Sequence, residues 1–307
     1  MTMQFHKAER HKAKLRLGLT GPSGSGKTLG ALMIAKGIGG KIAVVDTERG
    51  SAALYAEPVR LRGGEFWAPP EFDALELTAP YTPERFIEAI RAAEGAGYDI
   101  LILDSSTPEW NGVGGCLELV DQIAAAKFKG NSWSAWNEIT PRHRAFLDAI
   151  LRSDLHVIVT MRSKTETAQT EENGRKRVVK LGMKAEQRDG IEYELTTVLD
   201  LIHDGHFAVA SKDRTGLFVG DPAPITEDTG ARLLAWLENG AEPAKTAADL
   251  AISLLEGARD ADDFRSVWET NKGAWHSVMP DAEYSRTVAA MKRLATKWAP
   301  AKEREPA

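Results

Sequence analysis

At 307 residues the chain is long enough for one large α/β domain with an appendage, or for two modest domains. Its 43% apolar and 27% charged residues are those of an ordinary globular protein, and no run of about eighteen apolar residues exists to span a membrane. A net charge of −5 excludes a generally basic nucleic-acid binder, so any such contact must come from local patches.

Residues 1–14 form a basic arm carrying Lys7, Arg10, Lys12 and Lys14, with no apolar stretch behind them, so they do not read as a secretory signal. The arm is either a nucleic-acid contact or a solvated tail. The single cysteine, Cys116, cannot close an internal disulfide, which agrees with a reducing cytoplasm; it lies in an apolar stretch and reads as packing.

Leu15 to Thr20 alternates like a strand, and Thr28 to Lys36 reads as a helix. Between them Gly21-Pro22-Ser23-Gly24-Ser25-Gly26-Lys27-Thr28 fits G-x-x-x-x-G-K-[ST] at every required position. The glycines let the backbone curl until successive N–H groups point at phosphate oxygens, at a helix N-terminus that favours anions. Lys27 adds a cation beside the β- and γ-phosphates, and the Thr28 hydroxyl is positioned to hold Mg²⁺.

Lys41 to Asp46 is a short apolar run typical of a buried parallel strand, ending in Asp46-Thr47-Glu48 at the edge where ligands sit in open α/β sheets. Phe72 to Thr78 reads as a strand. Thr82 caps a helix with Pro83 at its first position and Glu84 in its first turn, and Gly95 is expected to end it. Tyr98 to Leu103 is a further apolar strand, and Asp104 at its tip is placed to reach Mg²⁺ opposite Thr28.

Thr107 to Asn137 breaks the periodicity with Gly112, Gly114 and Gly115 and reads as a long loop; its tryptophans, Trp110, Trp133 and Trp136, either stack on bases or pack on the sheet. Thr140-Pro141 opens a helix to Arg152, followed by the strand His156 to Thr160. Lys164 to Leu181 reads as a hairpin turning at Asn173-Gly174. Arg175, Lys176, Arg177 and Lys180 make its second arm basic, with Lys184 and Arg188 continuing the positive face. This is either a strand-binding arm or an exposed hairpin. A second hairpin joins Leu195–His203 to His206–Ser211 at Asp204-Gly205, after which Lys212 to Gly216 leaves the sheet edge. A helix from about Thr229 to Leu237 and a linker at Ala241 to Lys245 close an α/β domain over residues 15–240. Residues 246–299 read as a small helical domain with Trp268, Trp275 and Trp298 in its core, and residues 300–307 as a frayed tail.

Four stretches together resemble the RecA-type P-loop ATPases, in the compact form that phages encode for single-strand annealing and recombination. They are the phosphate loop, the Asp46-Thr47-Glu48 strand tip with Ala53 to Ala56 after it, the Asp104-Ser105 strand tip, and Phe207 to Arg214. The resemblance spans Leu15 to Phe218 and implies an α/β core: a mostly parallel sheet flanked by helices, an antiparallel edge hairpin and a small C-terminal helical region outside it. It implies ATP with Mg²⁺ as ligands, Glu48 as the general base, and Lys212 and Arg214 as cations reaching a neighbouring subunit's γ-phosphate. A ring or filament of identical subunits, single-stranded DNA as partner, recombination partner proteins and the host cytoplasm follow from the same likeness. The family usually carries a glutamine after the strand of Val157 to Val159. Here the residues are Thr160-Met161-Arg162, which leaves coupling of hydrolysis to DNA open.

The expected activity is therefore a Mg²⁺-dependent ATPase that binds single-stranded DNA and supports annealing and recombination. Two alternatives stand beside it: a nucleotide-gated DNA-binding module with little hydrolysis, and a P-loop nucleotide kinase. Against the kinase, the chain lacks an arginine-rich lid between two helices.

Overall fold

The computed structural model describes residues 5, 7–172, 175–242 and 245–298, and the side chains of all of these except 165–182 and 282. They divide into two compact units, one made of Lys12–Gly240 and the other of the described residues up to His11 and from Ala241 onward.

The larger unit begins β1 Arg16–Gly21, α1 Lys27–Ile38, β2 Ile42–Asp46, a 3₁₀ turn Ala52–Tyr55, β3 Val59–Arg60, β4 Phe66–Trp67, β5 Phe72–Glu76, α2 Pro83–Ala96 and β6 Ile100–Asp104. It continues with α3 Thr107–Asn111, α4 Cys116–Lys127, α5 Ser132–Arg152, β7 His156–Glu172, β8 Arg175–Ala185, α6 Ile191–Glu194, β9 Thr197–Leu201, β10 Phe207–Asp213, β11 Ala223–Pro224 and α7 Glu227–Leu237. The main sheet runs β11-β10-β9-β1-β7-β6-β2-β5, parallel from β9 to β5, with β10 and β11 antiparallel at one edge.

The apolar strands are buried on both faces, which is why they read as continuous hydrophobic runs. Ile42, Val44, Ile100, Ile102 and Ile158 turn towards α1 and α7, where Leu32, Ile34 and Leu233 are buried. Their neighbours Ala43, Val45, Leu101, Leu103, Val157 and Val159 turn towards α2 and α5 and meet Phe86, Ile90, Phe146 and Ile150. Helices α1 and α7 cross at glycine: a Cβ on Gly37 would stand 1.9 Å from the Glu227 carbonyl oxygen, and one on Gly230 2.1 Å from that of Ile34.

Helix α2 runs to Ala96 and is closed by Gly97 in the left-handed region, so Gly95 lies inside it. Thr82 precedes Pro83 at its start without a side-chain capping bond. The stretch expected as a loop, Thr107 to Asn137, is mostly helical. Its glycines mark helix ends: Gly112 caps α3 and Gly115 opens α4. Helix α5 starts at Ser132, capped by the Asn131 side chain, which accepts from Ser134 N, so Pro141 stands inside the helix. β7 is far longer than the expected strand: it leaves the sheet and pairs antiparallel with β8 from Ser163 to Glu172. The Asn173-Gly174 turn lies outside the described residues.

Arg16 pins the start of β1 to the end of α5, donating to the carbonyls of Leu15, Leu151, Ser153 and Leu155. Burial holds its guanidinium down at about 10. Beside it, His156 Nδ1 accepts from Leu15 N at 3.2 Å, and burial with the nearby Lys14 and Arg16 holds the imidazole down at about 4. The unfolded chain therefore binds the extra proton first, so this site's stabilisation is complete above pH 6.5 and is lost as pH falls towards 4. Thermal melting followed from pH 7 to 4 should lose stability on the order of 3 kcal/mol from this group, and His156→Gln should flatten that limb.

In the smaller unit, α8 Ala247–Glu256, α9 Ala261–Val278 and α10 Asp281–Ala295 pack around Leu255, Ala258 and Phe264, with Trp268, Trp275 and Trp298 partly buried against them. Thr246 and Asp249 form a reciprocal capping box on α8, and Asp260 caps α9.

Candidate nucleotide site

The loop from Gly21 to Gly26 joins β1 to α1 at the C-terminal edge of the sheet. Gly24 and Gly26 hold φ of 74° and 89°, the left-handed region where glycine carries no Cβ penalty. Lys27, 8% exposed, folds back along the loop, its Nζ donating to Gly21 O at 3.0 Å and Pro22 O at 2.9 Å. Burial lowers its pKa, while Glu48 and Asp104 oppose that shift.

The sheet register puts Asp104 beside Asp46 on one side and next in line to Thr160 on the other. Asp104 is almost fully buried and accepts from Thr28 Oγ1 at 2.6 Å and Thr160 Oγ1 at 2.5 Å; burial is the main cause raising its pKa. A hydroxyl and a carboxylate at hydrogen-bond distance are the hard oxygen donors that Mg²⁺ takes, so the pair fits that ion. Asp46 fastens the strand tip instead, accepting from Glu48 N at 2.5 Å and Ala52 N at 2.9 Å. Glu48 Oε1 accepts from Arg162 Nε at 3.0 Å and Nη2 at 2.9 Å. Lys27, Thr28, Glu48, Asp104 and Arg162 line one cavity of about 180 Å³, with Tyr55 on its wall.

Lys212 and Arg214 lie elsewhere. Lys212 is still in β10, donating to Glu192 O and Tyr193 O at 2.6 and 2.5 Å, and Arg214 donates to Tyr193 O at 3.1 Å. Arg214 N bonds Thr196 O and Thr196 N bonds Arg16 O, which sets Arg214 level with the first residue of β1. At about 3.3 Å per residue that level lies five residues from Gly21. Lys212 pairs with Val198, itself level with Gly18, three residues from Gly21 and two strands across, and its Nζ is turned to the carbonyls of Glu192 and Tyr193. The side chains of Arg175, Lys176, Arg177 and Lys180 lie outside the described residues.

Sequence reasoning missed several neighbours of the loop. Thr160 holds the second oxygen of Asp104. His203 and His206, from the β9–β10 turn, stand 3.5 and 3.2 Å from where a Cβ on Gly24 and Gly26 would lie. Arg62 donates to His203 O at 3.4 Å. The only local signal was that both histidines flank the turn at Asp204-Gly205.

A second cavity, about 1030 Å³, opens between α5 and the base of the β7–β8 ribbon, lined by Trp110, Trp133, Trp136, Arg144, Lys164 and Arg188 among others. Trp110 and Trp136 stack at 5.5 Å and pack on the core around Cys116, while Trp133 is 86% exposed. The Arg188 guanidinium lies 5.4 Å over the Trp136 ring.

A strand, a glycine loop, a helix and an acidic strand tip bonded to the loop's hydroxyl define a P-loop nucleotide-binding protein of the α/β class. A family model described as AAA domain matches residues 13–246, most of the chain, and the protein belongs to that family. No curated protein matches its sequence. Among solved structures it is similar to the crystal structure of the RadB recombinase, at 20% identity over 76% of this chain and 93% of that one, with a TM-score of 0.38. No helix among the described residues is long and apolar enough to cross a membrane.

Proposed function

We propose that the protein is a Mg²⁺-dependent ATPase that binds single-stranded DNA and supports annealing or homologous recombination. The observation that carries this reading is the meeting of Lys27, Thr28, Glu48 and Asp104 around one cavity. Lys27 and the loop amides bind and orient the phosphates, and Thr28 and Asp104 hold Mg²⁺. Bound Mg²⁺ supplies charge neutralisation at the phosphate oxygens. Glu48 takes the proton of the attacking water. Lys212 and Arg214, remote from their own loop, act on a neighbouring copy's γ-phosphate, which requires a homo-oligomer.

The tryptophan-lined cavity supports the DNA part. Exposed Trp133 offers a stacking face, and Arg144, Lys164 and Arg188 offer cations for the backbone beside the basic β8 arm. One observation favours a second reading, a nucleotide-gated binding module: the carboxylate of Glu48 is already engaged by Arg162.

Phosphate release measured with and without a single-stranded oligonucleotide tests the two. The ATPase reading expects Mg²⁺-dependent turnover that the oligonucleotide raises severalfold. It also expects Trp133→Ala to weaken oligonucleotide binding by about 5–100-fold without changing ATP affinity. Background release under every condition, with nucleotide and DNA still bound, would leave the binding module standing.

A further inference from the structure

Three side chains from three consecutive helices meet in a buried cluster shortly after Asp104 in the chain. Glu109 of α3, Cys116 at the start of α4 and His143 of α5 are each at most 1% exposed. Glu109 Oε1 lies 3.0 Å from His143 Nδ1 and 3.1 Å from Cys116 Sγ, and those two are 4.0 Å apart. The imidazole nitrogen faces both carboxylate oxygens, with Oε2 at 3.2 Å.

One thiol, one imidazole and one carboxylate are the donor set of a zinc-class ion. With metal–ligand bonds of about 2.0–2.3 Å, tetrahedral angles put neighbouring donors roughly 3.3–3.6 Å apart. The three atoms therefore stand within about half an ångström of ligation distances, using the bond lengths above. We propose that Glu109, Cys116 and His143 hold a zinc-class divalent cation, separate from the Mg²⁺ position at Thr28 and Asp104.

The surroundings suit an ion. Among the described residues the carboxylate of Glu109 bonds an imidazole, a thiol and the Gln187 amide, with no lysine or arginine among these partners. Burial and the facing carboxylate push the Cys116 thiol far up. A divalent cation reverses that preference: the S–H proton leaves to solvent, the thiolate binds the ion, and His143 binds through Nδ1 with its own proton on Nε2. Gln187 Nε2 bonds both Glu109 Oε2, at 3.2 Å, and Ser106 O, at 3.3 Å, and so orients the carboxylate as an outer partner. The edge-to-face Trp110 ring, 5.6 Å from His143, closes the apolar side. The ion would clamp α3, α4 and α5 together, α3 being the helix that follows β6 in the chain.

Elemental analysis of the purified full chain should find about one zinc per protein, and chelation should lower its melting temperature. Cobalt added to the chelated protein should give a thiolate-to-cobalt charge-transfer band, which the all-oxygen position at Thr28 and Asp104 cannot produce. His143→Ala should weaken cobalt binding at least tenfold and Cys116→Ser should remove the band. The wild-type titration needs no variant to fold. A folded wild-type chain that carries no metal and gives no band with cobalt, and no melting shift with zinc, would reduce the triad to a hydrogen-bonded network and overturn the proposal.

Discussion

Lys27→Ala is expected to reduce nucleotide affinity by about 10²–10⁴-fold while leaving the fold intact. The ammonium is held over the loop by two carbonyl oxygens, Gly21 O and Pro22 O, so its position beside a phosphate is fixed before any ligand arrives. About two charge-assisted hydrogen bonds at roughly 1.5–3 kcal/mol each would be lost from the bound state. In the free protein the change removes the bonds to Gly21 O, which is buried, and to Pro22 O, which is partly buried, so a melting-temperature drop worth about 1–2 kcal/mol is expected with the fold retained. Titration with a fluorescent ATP analogue measures the effect, and thermal melting checks the fold. An affinity within about threefold of wild type would mean that the nucleotide, if bound, lies elsewhere.

The loop itself was readable because its chemistry is local: eight adjacent residues fix the turn, the cation and the hydroxyl. β2 and β6 were readable for a related reason, since both faces of each strand are covered and the apolar run is unbroken. The helices between Thr107 and Asn137 were not. Gly112 and Gly115 look like loop residues along the chain, but they close one helix and open the next. Pro141 reads as a first-turn proline because the true start of α5 rests on the Asn131 cap, ten residues earlier.

Partners set by long-range packing left no trace in sequence at all. Arg162 meets Glu48 across 114 positions, and His143 meets Glu109 across 34. His203 and His206 reach the loop only because β9 pairs with β1, which brings the following turn beside Gly24 and Gly26. The trans role proposed for Lys212 and Arg214 shows the same limit in reverse. The residues were visible, while their distance from their own loop came only with the register of β10.

Glu48→Gln should separate binding from chemistry. The glutamine keeps the shape of the side chain and can still accept from Arg162, so ATP affinity should stay within about threefold, or tighten slightly as a negative charge leaves the phosphate cavity. It cannot take a proton from water, and a positioned base contributes about 10²–10⁴-fold, so the single-turnover rate of phosphate release should fall by that factor. Only Oε1 of Glu48 is bonded to Arg162, which leaves Oε2 for water and lets one carboxylate serve both contacts. A rate within threefold of wild type would remove Glu48 as the base. The ion pair with Arg162 would then be its whole role, and the shared cavity would be a binding site whose slow hydrolysis owes nothing to this acid.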